Sequence, residues 1–197
     1  MATLLCLPGK WPDISYLPNF DFVIGVDSGA DVALNHGIKP DLIVGDLDSI
    51  IKENHPNKII LEESGQDDND LSKALRICVE RELNSICIVG FTGKRNDHEL
   101  GNYAAIHNAN HQLEIKILLE DMIVHRIVSG NEFHALAPVG TLVSIFSFEE
   151  TDVYTTGLKW NISGKLGFSS KGLSNHTINS TFTVSTNGCI CVMIHNS

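Results

Sequence analysis

A change of rhythm near residue 120 constrains what this chain can fold into more than any other feature of its sequence. Before it, short apolar runs at residues 3–7, 22–26, 42–44, 58–61, 85–89 and 114–119 alternate with segments of helical spacing, clearest over 71–83 and 100–110. Compact β runs separated by helices predict a mostly parallel sheet covered on both faces. From Ile123 the helical period disappears. β-rich runs at 123–128, 132–136, 142–148, 181–185 and 190–194 then follow one another between Gly, Asn, Ser and Pro. That pattern predicts an antiparallel sandwich or barrel. The expected division is an α/β domain over residues 1–122 and a smaller all-β domain over 123–197.

A chain of 197 residues, 43% of them hydrophobic, can bury a sizeable core. Its formal charge of -10, from 14 Lys+Arg against 24 Asp+Glu, repels nucleic acid and anionic lipid and attracts cations. The five Cys form no C-x-x-C pair, and buried reduced thiols are expected. The first residues lack a basic n-region, and their apolar run is too short for a signal peptide. No later stretch is long and apolar enough to span a bilayer, so a cytoplasmic protein is expected. On that expectation the sequons at Asn161, Asn175 and Asn179 are chance matches.

Polar residues gather just after the strands of the first half, where open α/β sheets bind their ligands. Asp27-Ser28-Gly29-Ala30-Asp31 follows the second run; its glycine would let the backbone approach a phosphate, although Asp-Ser-Gly is also an ordinary turn. Gly45-Asp46-Leu47-Asp48-Ser49 sets two carboxylates one residue apart, in reach of one hard cation or simply in a solvated turn. Gln66-Asp67-Asp68-Asn69-Asp70 carries more acid than capping the following helix requires. Convergence of Asp46, Asp48, Asp67, Asp68 and Asp70 at one sheet edge would call for a bound cation. Gly90 to Glu99 offers two glycines and two cations suited to a polyphosphate, with an Asn96/Glu99 capping box as its structural counterpart. Together these clusters predict metal-assisted phosphoryl or diphosphoryl transfer.

The first two clusters, with Gly37-Ile38-Lys39-Pro40-Asp41 leading into the second, resemble the thiamine pyrophosphokinase family. So do Gln66-Asp67-Asp68-Asn69-Asp70-Leu71-Ser72-Lys73-Ala74-Leu75 and Arg95-Asn96-Asp97-His98-Glu99-Leu100-Gly101-Asn102, in the same order. Gly157-Leu158-Lys159-Trp160 and Gly172-Leu173-Ser174-Asn175 carry the resemblance through the second half. It implies a Rossmann-like catalytic domain followed by a β-sandwich, in a homodimer with active sites at the subunit interface. The implied reaction is magnesium-dependent transfer of a diphosphoryl group from ATP to the hydroxyl of thiamine, giving thiamine diphosphate and AMP. By the resemblance, Asp46, Asp48 and Asp70 are catalytic and hold magnesium. Asp27, Ser28, Gly29, Gln66, Asp67, Lys73, Thr92, Gly93, Arg95, Asp97 and His98 surround ATP. Trp160, Ser174 and Asn175 receive thiamine, and the thiazolium cation suits the face of Trp160.

Three positions depart from the family pattern. Ser28 stands where the family has Gly, Asp31 where it has Asn, and Asn96 where Leu is common. The acid at Asp31 is expected to remove an amide donor close to the phosphates. Two other readings fit parts of the sequence. Asp46-Leu47-Asp48 resembles the nucleophile motif of haloacid-dehalogenase-type phosphatases, although Gly45 intervenes after the strand and an all-β second half is foreign to that class. A catalytically inactive thiamine- or nucleotide-binding regulator would tolerate Ser28 and Asp31.

Overall fold

A computed structural model describes every residue except 46–49, 56–58, 63–67, 131 and 197. The chain divides into two compact units, Met1–Glu120 and Asp121–Ser197.

The first unit is built on strands β1 (Ala2–Cys6), β2 (Phe22–Val26), β3 (Leu42–Gly45), β4 (Ile59–Glu62), β5 (Ser85–Val89) and β6 (Glu114–Leu118). They pair in parallel in the spatial order β4-β3-β2-β1-β5-β6. Leu4, Leu5 and Cys6 of β1 are fully buried, and neighbouring residues on a strand point to opposite faces. The sheet is therefore covered on both sides at its centre, which is why its strands read as unbroken apolar runs. From β1 the chain steps outward through β2 and β3 to β4, then returns to place β5 on the other edge of β1. This reversal makes β1 and β5 the switch point of the sheet, beyond whose carboxyl ends loops diverge and leave a crevice.

The helices are α1 (Gly29–Asn35), α2 (Asp70–Glu80) and α3 (Asn96–Asn108). Asn69 caps α2, its side chain accepting from the Ser72 N–H at 2.9 Å. The stripe Leu71, Ala74, Leu75, Ile77 and Cys78 then buries against the sheet. Helix α3 begins four residues before the apolar spacing predicted, and the expected Asn96/Glu99 capping box does not form. Glu99 Oε1 instead accepts from the Gly93 N–H at 2.7 Å, closing the preceding loop.

The second unit contains β7 (Met122–Ile127), β8 (Glu132–Leu136), β9 (Leu142–Ser147), β10 (Thr151–Thr156), β11 (Ser163–Leu166), β12 (Asn175–His176), β13 (Thr181–Thr186) and β14 (Ile190–His195). Within it the pairings are antiparallel, in the orders β12-β9-β14-β7 and β11-β10-β13-β8. Val143, Ile145, Ile190 and Val192 of the first set share one core with Val153, Leu166, Phe182 and Val184 of the second. β10, β11 and β12 were not predicted. The inward residues of β10 are Thr151, Val153 and Thr155, and the threonines satisfy their hydroxyls on Asn187 and Asn161 rather than displaying an apolar stripe.

All five cysteines are buried free thiols, as expected. Burial pushes the Cys191 thiol up to about 12, so it stays protonated and unreactive at neutral pH. Among the described residues no helix is long and apolar enough to cross a membrane. Phe182, 1% exposed, is the largest side chain in the core of the second unit. Its replacement by Ala is expected to cost about 3–5 kcal/mol in urea unfolding. A loss below about 1 kcal/mol would show that the two sets of strands do not depend on one core.

Candidate functional site

A cavity of about 700 Å³ opens at the carboxyl ends of β1, β2 and β5. Backbone forms much of its floor. Gly90 has φ +70°, and a Cβ there would stand 2.0 Å from the Leu7 carbonyl oxygen. A Cβ on Gly29 would stand 2.0 Å from the Cys6 carbonyl oxygen. Side chains at both positions would force the loops apart, so glycine is required by the close approach of the strand ends.

Of the residues expected to bind ATP or metal, Asp27, Ser28, Asp70, Arg95, Asp97 and His98 line this cavity. Asp27 sits at φ +48°, a left-handed conformation uncommon for a residue with a side chain. Its Oδ2 accepts from Ser28 Oγ at 3.3 Å. Its Oδ1 is buried and has no hydrogen-bond partner among the described residues. A strained backbone that presents an orphaned carboxylate oxygen is a feature that folding alone does not favour.

Asp70, first residue of α2, accepts from the Lys73 ammonium at 3.0 Å. Lys73 is itself buried, 4% exposed, so its charge is matched by Asp70 and it does not line the cavity. Arg95 and Asp97 pair through two bonds, Nε to Oδ1 at 3.1 Å and Nη2 to Oδ2. The guanidinium holds the Asp97 carboxyl below its usual range. Gly29, Thr92 and Gly93 shape the surrounding loops without lining the cavity; the Thr92 carbonyl accepts from the Lys10 N–H at 2.6 Å. Asp46, Asp48, Gln66 and Asp67 lie outside the described residues.

Among the described residues no group of three or more acidic, His or Cys side chains is placed to hold a metal. The donors present nevertheless fit a hard cation: Asp27 and Asp70 both face the cavity, and Asp27 has an unused oxygen.

Several lining residues were not assigned as site residues, although Asn69, Phe91 and Asn102 lie within the clusters and motifs singled out above. Pro8 and Gly9 follow β1, while Asn69, Phe91 and Asn102 come from three separate elements.

Asp31 corrects an expectation. Its carboxylate does not reach the cavity; it accepts from the Ile51 N–H (2.9 Å), Asn54 Nδ2 (2.9 Å) and His55 Nε2 (3.1 Å). The acid thus fastens residues 51–55 to α1, and no phosphate donor is lost by its presence.

In the second unit, Trp160 is 56% exposed, with the Lys159 ammonium 4.5 Å from its ring centre. Asn175 is buried, and its amide grips the backbone of Trp160. Oδ1 accepts from the Trp160 N–H at 3.1 Å, and Nδ2 donates to the Trp160 carbonyl at 2.7 Å. Ser174, at φ +56°, is exposed beside it and donates its N–H to Ser144 Oγ at 3.0 Å. Trp160 and Ser174 are accessible to a ligand, whereas Asn175 orients the tryptophan.

A parallel α/β unit with an acid- and cation-lined cavity at its switch point, joined to an antiparallel β unit, defines the class. Comparison then gives the family. The model described as "Thiamin pyrophosphokinase, catalytic domain" matches residues 14–119, and that described as "Thiamin pyrophosphokinase, vitamin B1 binding domain" matches 125–191. The chain belongs to the thiamin pyrophosphokinase family. It is 30% identical to the thiamine pyrophosphokinase of Bacillus subtilis (strain 168), over 94% of this chain and 92% of that protein. It is 33% identical to thiamine pyrophosphokinase 3 of Oryza sativa subsp. japonica over 63% of this chain. That match spans 52% of the plant protein, and a second rice relative is matched over 53% of its length. The crystal structure of the B. subtilis protein superimposes with a TM-score of 0.84 at 26% identity, covering 100% of this chain and 99% of that one. Thiamin pyrophosphokinase from Candida albicans shares the fold, with a TM-score of 0.83 at 16% identity over 100% of this chain and 90% of that one.

Asp31 generates a pH prediction. Burial pushes its carboxyl up, but the bonds from Ile51, Asn54 and His55 outweigh this and the net shift is below its ordinary 3.8. The group therefore contributes stability that is present above pH 3.8 and lost as pH falls through the lower folded-state value. Asp31→Asn keeps an oxygen for Ile51 but has no charge to protonate. The gap in melting temperature between wild type and variant should narrow between pH 6 and pH 3, by about the slope that linkage gives one carboxyl. A gap that is constant across this range would show that Asp31 carries no depressed pKa.

Proposed function

We propose that this chain transfers a diphosphoryl group from Mg-ATP to the hydroxyl of thiamine, releasing AMP. The reading rests on one observation above others: the lining of the cavity at the strand ends combines the orphaned Asp27 oxygen and Asp70 with Arg95 and Lys94. Acids and cations gathered around one volume suit a metal-bound polyphosphate, which carries both signs of charge. Family membership supports it, as does the Rossmann-like reading of a parallel sheet whose loops diverge at β1 and β5.

The thiamine hydroxyl oxygen forms a bond to the β-phosphorus, the bond from that phosphorus to the α,β-bridging oxygen breaks, AMP leaves, and the hydroxyl proton passes to water. Arg95 and Lys94 bind phosphate oxygens, and Asp97 gives up Arg95 as the nucleotide arrives. Asp46, Asp48 and Asp70 would hold magnesium, which when bound neutralises phosphate charge. Trp160 and Ser174 receive thiamine, the ring facing the thiazolium, and Asn175 fixes that ring. The assembly proposed is a homodimer in which thiamine is received by the β unit of the partner. Against a haloacid-dehalogenase-type phosphatase, suggested by Asp46-Leu47-Asp48 alone, stand the family membership and the antiparallel second unit.

The test is product analysis with Mg-ATP and thiamine, where AMP and thiamine diphosphate should appear in equal amounts. ADP as the sole nucleotide product would overturn the proposal. Asp70→Asn should lower AMP release by at least about a hundredfold, the rate equivalent of roughly 3 kcal/mol. Its melting temperature should fall as well, because the buried Lys73 ammonium loses its matching charge, so the rate is compared on folded protein; undiminished turnover at saturating magnesium would reduce Asp70 to a partner of Lys73. A heterodimer of Asp70→Asn and Trp160→Ala chains concentrates both lesions in one of two sites and should regain about half of wild-type activity. Recovery of none, with the dimer intact, would place Trp160 and Asp70 of one chain in the same site.

A further inference from the structure

Three elements that line the cavity are tied by a chain of amide hydrogen bonds. At the start of α2, Asn69 spends its Oδ1 on Ser72, accepting from the N–H and from Oγ at 2.9 Å each. This leaves its Nδ2 to donate, and it donates to Asn102 Oδ1 at 3.2 Å. Asn102, in the second turn of α3, donates from Nδ2 to the Phe91 carbonyl at 3.1 Å. Phe91 begins the loop that follows β5, and all three residues face the cavity.

The loop from Gly90 to Gly93 has other anchors. Gly90 and Thr92 carbonyls accept from the Gly9 and Lys10 N–H groups, and Glu99 takes the Gly93 N–H. Those bonds hold the loop to the end of β1 and to α3. The chain through Asn69 and Asn102 is what runs on to α2, whose first residue is Asp70. The amide of Asn102 meets two demands at once, with its oxygen and its nitrogen on separate atoms. Asn69 Nδ2 needs an acceptor and the Phe91 carbonyl needs a donor, whereas Leu supplies neither and Asp would set a carboxylate against the carbonyl.

We infer that Asn102 is a positioning residue for the diphosphoryl transfer: its amide sets the distance between Asp70 and the Gly90–Gly93 loop across the nucleotide cavity. The inference rests on the function proposed above. Asn102 moves no proton and makes no bond to the reacting atoms. Its effect comes through the placement of Asp70 relative to the loop, and in phosphoryl transfer placement is most of the chemistry. Loss of the tie leaves the fold in place, because the Phe91 ring is 2% exposed and packs edge-on to Tyr103 at 4.9 Å, independently of Asn102.

Two single variants and their combination test this in the full chain. Asn102→Leu removes both bonds, and Asn69→Ser retains a hydroxyl to cap α2 but lacks the amide N–H that Asn69 donates to Asn102. Each should lower kcat for AMP release roughly tenfold while KM for ATP changes less than about threefold. The double variant should fall no further than Asn102→Leu, because both changes break one chain. Amide hydrogen exchange should rise over residues 70–73 and 91–93 in both variants, with residues 3–6 as the unchanged reference. Wild-type kcat in both variants, effects that multiply in the double variant, or unaltered exchange would each overturn the inference. Absence of thiamine-dependent AMP release from the wild-type protein would instead sink the proposed function. Exchange would then decide the tie alone: raised at both segments it stands, unaltered it falls.

Discussion

The hydrogen-bonding of β1 along both its edges is the constraint on which the first unit depends. Every residue of β1 pairs with β5, and Thr3 to Cys6 pair with β2 as well. A strand held on both sides and covered on both faces is predominantly apolar, here through Leu4, Leu5 and Cys6. β5 stays beside it past the strand ends, with Leu7 donating to Val89 and Gly9 to Gly90. β2 departs instead, through Asp27 into α1. The parting of these backbones makes the cavity, and the closeness of those that remain is why Gly29 and Gly90 carry no side chains.

The charges around that cavity are largely matched within the protein. Lys73 is neutralised by Asp70, and Arg95 by Asp97. The two pairs differ in kind. Lys73 is buried, so separating it from Asp70 would leave an uncompensated charge in a poor dielectric. Arg95 and Asp97 are largely exposed, and an ion pair in water is weak enough for an incoming phosphate to replace. Among the described carboxylates, Asp27 is the one that keeps a buried oxygen with no partner, which singles it out as the cavity group most in need of a ligand.

The second unit works by a different device. Antiparallel strands bury one face and leave polar groups and loops outside, so its candidate ligand residues stand on loops supported by the core. Asn175 shows how: a buried amide, bonded to both backbone groups of Trp160, fixes the backbone that carries an exposed aromatic ring. An exposed tryptophan held this firmly can present its face to a cation at little entropic cost.

Local sequence marked the strands of the parallel sheet, because burial on both faces favours short apolar runs and these alternate with segments of helical spacing. It also determined the start of α2, where Asn69 and Ser72 complete a cap within four residues, and the family, through motifs that hold their order along the chain. Tertiary structure decided the rest. β10 was invisible because its buried threonines are satisfied by asparagines six to 36 residues away. The start of α3 was misplaced because Glu99 answers to Gly93 rather than to its own helix. Asp31 was expected beside the phosphates, yet its partners are 20 to 24 residues away, in a segment its sequence neighbours do not reveal. Asn102 drew no separate notice for the same reason: an amide acquires its meaning from the two groups placed on either side of it, and only the folded chain brings those groups together.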